Sequence, residues 1–335
     1  MMEHRAISGT PSHRVAAVVY NPVKVDLAAV KAEIASAEKS AGWAPTLWFE
    51  TTKDDAGQGP TAEALDAGAI MVIAAGGDGT VRAVAEAMYD SDASLALLPS
   101  GTGNLLARNL KLPLDDLASS AHTAFAGRDR RIDLPLIDIR HDDQSISRHV
   151  YLVMAGLGLD ATMLANTNDD LKKKVGWLAY AGALGGAMLD KNQLHLRYNV
   201  DGTGNRSVHA HTIIIGNCGS LPGNVLLLPD AAIDDEMFEL VLLRPRGAIG
   251  WLQITTKILW ESGVLRRTEA GRKFMGPAKE IRALCYIKGR EVVVRLERPH
   301  DIELDGDSFG SALALKTWIE PGALTVRVPI LGSPS

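Results

Sequence analysis

The run VIAAGGDGT, Val72 to Thr80, sets an apolar stretch ahead of Gly76, Gly77, Asp78, Gly79 and Thr80. Glycines at such a place allow positive φ and leave no Cβ between the backbone and a close ligand. A helix starting after them aims its free N–H groups and positive dipole end back at the loop. That combination suits a phosphate. A tight strand-to-helix turn with Asp78 or Thr80 as N-cap uses the same residues, so this loop alone leaves both readings open. A second unit tilts the balance: Leu95 to Leu98 is followed by PSGTGN, with Gly101, Thr102, Gly103 and Asn104, and then by a helical pattern. In a parallel sheet both loops leave the carboxyl ends of strands, where ligands of such folds bind. Asp78 would repel a bare phosphate unless a cation lay between them, and Mg²⁺ brought by a nucleotide is the economical choice. No G-x-x-x-x-G-K-[ST] run occurs, so this is not a Walker loop.

Positioning these loops takes strands and helices in alternation. Val15 to Tyr20, Thr46 to Glu50, Ile70 to Ala74 and Leu95 to Leu98 are expected strands, each bounded by turn residues. Val81, Val84, Ala85 and Met88 line one face of the helix after Thr80, and Leu106 and Leu110 share a face before Pro113. The pattern predicts an α/β domain with a mostly parallel sheet over residues 14–136, after a flexible tail at 1–13. Residues 137–321 change to a mainly antiparallel β pattern. Leu194 to Val200 alternates, DGTGN turns the chain, and His209 to Ile215 returns as a strand. Further strands are expected at Phe238 to Leu243, Glu291 to Leu296 and Leu324 to Val328, with helical inserts near Gly176 to Leu189 and Ile249 to Leu265. The last strand, about 322–331, is expected to pack back on the first domain.

Bulk properties narrow the function. A 335-residue chain with 46% hydrophobic and 22% charged residues fits a folded protein of two domains. A net charge of -5 argues against nucleic acid as partner, because no excess of Lys and Arg is there to neutralise many phosphates. Cys218 and Cys285 form neither a C-x-x-C pair nor a disulfide framework, so a reducing, cytoplasmic setting is expected. The polar N-terminus has no apolar signal region. Val175 to Leu189 is shorter than the roughly 18 residues of a membrane span.

The segments VVYNPV, GGDGTVRAVAEAM, LPSGTGNLLARNL, AGLGLDA, IIIGN, LLPDAAIDDEMFEL and ELDGD together resemble the diacylglycerol kinase catalytic-domain family, bacterial lipid kinases related to sphingosine and ceramide kinases. GGDGT alone is shared with NAD kinases and phosphofructokinases; the later segments separate them. The resemblance implies an active site in the cleft between the two domains. It implies ATP contacts from Asn21, Pro22, Thr52, the loop Gly77 to Thr80, and Thr102. It implies that Asp133, in the R-x-I-D-L position, joins Asp78 in a water and Mg²⁺ network. Asp307 takes the proton-acceptor position, with Asp305 as its close neighbour, although a turn tipped by Gly306 is the plain reading of ELDGDSFG. A structural Mg²⁺ is implied at Asp235 with the carbonyls of Ala232 and Met237.

Departures and decoys bear on this. The first loop reads NPVKV where the family often has NPxSG, the third has Leu105 in place of an aspartate, and Glu236 replaces a glycine at the structural-metal turn, where positive φ is uncomfortable. GLGLDA, Gly156 to Ala161, matches G-x-G-x-x-A without a clear βαβ unit around it. His209 and His211 are read as facing one side of a strand with no third ligand. Lys172, Lys173, Lys174 and Trp177 edge the first insert and could rest on anionic headgroups.

The expected function is an ATP-dependent lipid kinase that uses Mg²⁺ and phosphorylates diacylglycerol to phosphatidic acid. Its expected partners are the lipid, a peripheral membrane surface and a second copy in a homodimer. An NAD kinase-like enzyme and a catalytically weak nucleotide-binding regulator are the alternatives, the second motivated by Leu105 and the altered first loop.

Overall fold

The computed structural model describes residues 14–158, 193–221, 225–228, 230–245 and 283–330, together with 247, 250, 251, 253, 254, 256 and 257. Strands β1 (Ala16–Tyr20), β2 (Leu47–Glu50), β3 (Met71–Gly76) and β4 (Ser94–Pro99) form a parallel sheet in the order β4-β3-β1-β2. Strands β1 and β3 are buried along their whole length. Unbroken apolar runs are what a parallel strand covered on both faces requires. The cover comes from α1 (Leu27–Ala41), α2 (Gln58–Asp66), α3 (Asp78–Ala87), α4 (Leu105–Asn109) and α5 (Leu117–Ala126).

Alternate residues of β1 and β3 feed two apolar clusters. Val19, Val72, Val84 and Leu106 belong to one, Val18, Ile73, Ile34 and Phe125 to the other. Val81, Val84, Ala85 and Met88 are all buried, as their spacing predicts. Helix α1 has sharp ends: the Asp26 side chain accepts from the N–H groups of Ala28 and Ala29, and Gly42 closes it at φ 68°.

The rest of the chain adds β5 (Arg128–His141), β6 (Ile146–Val150), β7 (Met154–Leu157), β8 (Leu194–Val200), β9 (Arg206–Ala210), β10 (Thr212–Gly216), β11 (Ser220–Leu221), β12 (Val225–Leu226), β13 (Phe238–Leu243), β14 (Leu284–Gly289), β15 (Glu291–Leu304) and β16 (Asp307–Val328). These pair with one another antiparallel, so the expected class, a parallel α/β part followed by a mainly antiparallel one, is the fold observed. Alternation along β8 buries Leu194, Leu196, Tyr198 and Val200 against Val292 and Val294 of β15.

Two sequence expectations change. The single strand expected at His209 to Ile215 is two, because at His211 the chain leaves β8 as neighbour and enters between β7 and β13. The His211 N–H bonds the Leu243 carbonyl at 2.8 Å, while His209 stacks on His195 across the β8–β9 pair at 4.0 Å. The two histidines therefore do not share a strand. The short strand expected at Leu324 to Val328 is the end of β16, 22 residues long. It pairs antiparallel with β15, follows β5 along its length, and finally lies parallel to β4 at Thr325 and Val326. One sheet thus runs from β14 to β2.

The insert expected at Gly176 to Leu189, its edge Lys172 to Lys174, and Leu159 to Ala161 of GLGLDA lie outside the described residues. The described residues between 247 and 257 are helical. Among the described residues, no helix is long and apolar enough to cross a membrane.

Candidate active site

Four loops leave the carboxyl edge of the parallel sheet. After β1, the Asn21 N–H bonds the Ala75 carbonyl and its side-chain oxygen accepts from Val23, which leaves Pro22, Val23 and Lys24 outermost. After β2, exposed Thr52 is held in a small turn with Asp55, its hydroxyl oxygen accepting the Asp55 N–H at 3.0 Å. After β3 comes the glycine loop. Gly77 is the N-cap of α3 and supplies no side-chain cap, so neither Asp78 nor Thr80 plays that part. The first N–H groups of α3 stay available for an anion.

The glycines are required by contact. A Cβ at Gly76 would stand 2.7 Å from the Cβ of Thr80, and one at Gly101 would stand 2.8 Å from the Cα of Gly77. The loops after β3 and β4 therefore touch backbone to backbone. Asn104, in the left-handed region at φ 47°, ties the second loop by exchanging hydrogen bonds with Gly101, both at 2.9 Å. A Cβ at Gly103 would run into the Asp78 carboxylate. The N–H of Leu105 donates to that carboxylate, so the position lacking the family aspartate still holds Asp78 through its backbone.

The second half supplies one carboxylate to this place. Asp305 and Gly306 turn the chain between β15 and β16, and Asp307 lands against α3. A Cβ on Gly79 would lie 2.6 Å from Asp307 Oδ2, and that oxygen accepts from Arg82 Nη2 at 2.8 Å. Burial and the nearby Asp307 charge raise the Asp78 carboxyl above the usual range, against the N–H groups of Leu105 and Asn104. A carboxylate beside an anion-binding loop suits Mg²⁺, which takes one or two carboxylates and fills its other positions with phosphate and water.

Two sequence-expected residues sit elsewhere in the fold. Asp133 is buried, and its two oxygens accept from the N–H groups of Glu236 at 2.6 Å and Gly322 at 2.8 Å. Asp305 is also buried, and accepts from the N–H groups of Leu152, Val153 and Met154 at 2.8, 2.8 and 3.0 Å. Burial raises its pKa to about 6 in spite of those three donors. Both carboxylates tie backbone segments together behind the site.

The turn expected to hold a second Mg²⁺ does not fit one. Asp235 Oδ2 is 3.5 Å from the Lys288 ammonium, which also lies 3.7 Å from Glu239 Oε1 and donates to the Asp230 carbonyl at 2.7 Å. Lys288 therefore supplies the positive charge that the turn needs, and a divalent cation beside Asp235 would be repelled by it. Glu236 does adopt left-handed φ, 62°, held by its N–H to Asp133 and its side chain to Arg290. Among the described residues no cluster of three or more His, Cys, Asp and Glu is placed to hold a metal alone.

Arg82 was not singled out by the sequence. Its signal was weak but present: a cation four residues after Asp78, among the small apolar residues of a buried helix face.

The fold is that of the diacylglycerol kinases. The Diacylglycerol kinase catalytic domain family matches residues 16–137. A Pseudomonas fluorescens protein named "Probable lipid kinase YegS-like" is 32% identical over 303 residues, covering 88% of each chain. One of the same name from Pseudomonas aeruginosa is 30% identical over 279 residues, 81% of this chain and 80% of that one. The chain belongs to this YegS-like lipid kinase family. Its fold is shared with a diacylglycerol kinase crystal structure from Bacillus anthracis, at 16% identity and TM-score 0.64, over 96% of this chain and 98% of that one. It is shared more loosely with yeast NADH kinase, at 8% identity and TM-score 0.52, over 96% and 85%.

Proposed function

We propose that this chain transfers the γ-phosphate of MgATP to the hydroxyl of a lipid alcohol, with diacylglycerol as acceptor and phosphatidic acid as product. The observation that carries the reading is Asp307, a carboxylate from the second half set against Gly79 at the start of α3. The N–H groups of Gly77, Asp78, Gly79 and Thr80 meet the phosphates, while Asn21, Pro22 and Thr52 line the nucleotide side with Thr102 and its loop. Asp78 would hold the magnesium ion that arrives with ATP. Bound there, Mg²⁺ neutralises charge on the phosphates. Asp307 orients the acceptor hydroxyl and takes its proton, and the rest of the catalysis is positioning and charge stabilisation. Asp305 and Asp133 keep the 152–154 segment, the 233–236 turn and β16 in place around it. The lipid is met at a membrane surface.

The test is transfer of labelled γ-phosphate by the pure protein in mixed micelles of total lipid extract supplemented with NAD. Label in an organic-phase phospholipid that is lost in Asp78→Ala supports the reading and identifies the acceptor. Label in aqueous NADP moves the chain to nicotinamide nucleotides. ATP binding with no label anywhere marks a regulator.

A further inference from the structure

Arg82 has only 7% of its side chain exposed, an expensive position for a guanidinium and one normally justified by pairing. Its pairing here is incomplete. Nη2 bonds Asp307, a residue whose own side chain is half exposed, and the guanidinium lies 4.4 Å from the centre of the Phe309 ring. Nε is buried with no hydrogen-bond partner. An unsatisfied buried donor costs about 1–3 kcal/mol, which an acceptor brought by a ligand would recover. The guanidinium fork is the side chain best matched to phosphate oxygens. It sits one turn into the helix whose N-terminus faces the glycine loop, touching the carboxylate that abuts Gly79.

We propose that Arg82 binds the terminal phosphate of ATP and, in turning to it, releases Asp307 to the acceptor hydroxyl. Before ATP arrives the pair neutralises itself and Asp307 is held away from the acceptor. With ATP bound, the guanidinium shares its donors with the γ-phosphate oxygens. The acceptor oxygen then bonds to the γ-phosphorus as the bond to the β,γ-bridging oxygen breaks; the electron pair leaves on ADP and the acceptor proton passes to Asp307. The proposal rests on the kinase reading above and adds to it a residue and an order of events.

It is tested by binding. Affinities of the full-length protein for a non-hydrolysable ATP analogue and for ADP, both with Mg²⁺, are measured for wild type, Arg82→Met and Arg82→Lys. Lipid phosphorylation is followed in parallel, with a thermal melt to establish that each variant is folded. Arg82→Met is expected to lose about tenfold or more in affinity for the ATP analogue, as a charge-assisted bond to phosphate implies, and to keep its ADP affinity. Its kcat falls while KM for the lipid stays, and Arg82→Lys recovers part of both losses. Equal losses for ATP analogue and ADP, or no loss for either, overturn the proposal. A wild type that binds ATP but phosphorylates no lipid overturns the kinase reading alone, and the comparison of ATP analogue with ADP still decides the role of Arg82.

Discussion

Asp307, Asp305 and Asp133 are three aspartates that the sequence assigned to the site and that do different work. Asp307 is half exposed and bonded to a side chain, whereas Asp305 and Asp133 are buried and filled by backbone N–H donors. Asp307→Asn is therefore expected to lower kcat about 10²–10⁴-fold, the usual worth of a general base, while the protein still folds, because the Asn oxygen can accept the Arg82 bond. Steady-state kinetics beside a thermal melt checks this; a folded variant with wild-type kcat would contradict it. Asp305 has the opposite profile. Folding raises its pKa to about 6, so between roughly pH 4 and 6 the folded state binds more protons than the unfolded one. Its contribution to stability is largest at low pH and declines by ~3 kcal/mol as pH rises through that window. The stability difference between wild type and Asp305→Asn, from urea melts, should accordingly grow in favour of wild type from pH 7 to pH 4. The glycine loops and Asp78 were legible in the sequence, because only a few residue types tolerate close backbone approach beside an anion. Arg82 was not, since its partner Asp307 is 225 residues away and no local pattern links them.

At the scale of elements, the two glycine loops form one unit. Gly101→Ala would push a Cβ to 2.8 Å from the Gly77 backbone and 3.1 Å from the Asn104 side chain, so one loop must move. A cost of about 1–3 kcal/mol is expected from such overpacking, with ATP affinity lost as well because the α3 N-terminus is displaced. Denaturant melts and nucleotide titration of the variant check both. The 230–239 turn offers a different test, since Lys288 stands in for a metal. Wild-type melting temperature in the absence of nucleotide should be the same in Mg²⁺ and in EDTA. Lys288→Met should cost ~1–2 kcal/mol and gain a stabilisation by Mg²⁺ that Asp235→Asn abolishes. Strands of the parallel part were legible because burial on both faces demands continuous apolar runs, as in β1 and β3. The break at His211 was not. No turn residue interrupts HAHTIII, and the switch of neighbours is decided by strands distant in the chain.

Across the whole molecule, β16 decides how the halves share stability. Its first part pairs with β15, its last residues with β4, and β5 follows it from Ala312 to Val328. Between these lies a register shift from Glu320 to Leu324, with Gly322 at φ 56°. Asp133 sits at that shift: it accepts from Gly322 of β16 and from Glu236 of the 230–239 turn, and its own N–H bonds the Ile233 carbonyl at 2.8 Å. The sheet cannot be divided there without unpairing buried strands. Chains of this size commonly unfold in parts, yet here one part cannot open without taking strand partners from the other. Asp133→Ala removes the acceptor of two N–H groups in a buried place and is expected to cost about 2–5 kcal/mol. The loss should lower one shared transition instead of freeing half of the molecule. Calorimetry and fluorescence from Trp48, in the parallel part, and Trp318, in β16, report on this together. Coincident transitions, with calorimetric and van't Hoff enthalpies equal in both wild type and variant, are the expected result. An early transition seen by one tryptophan alone would mean that β16 joins two bodies without coupling them.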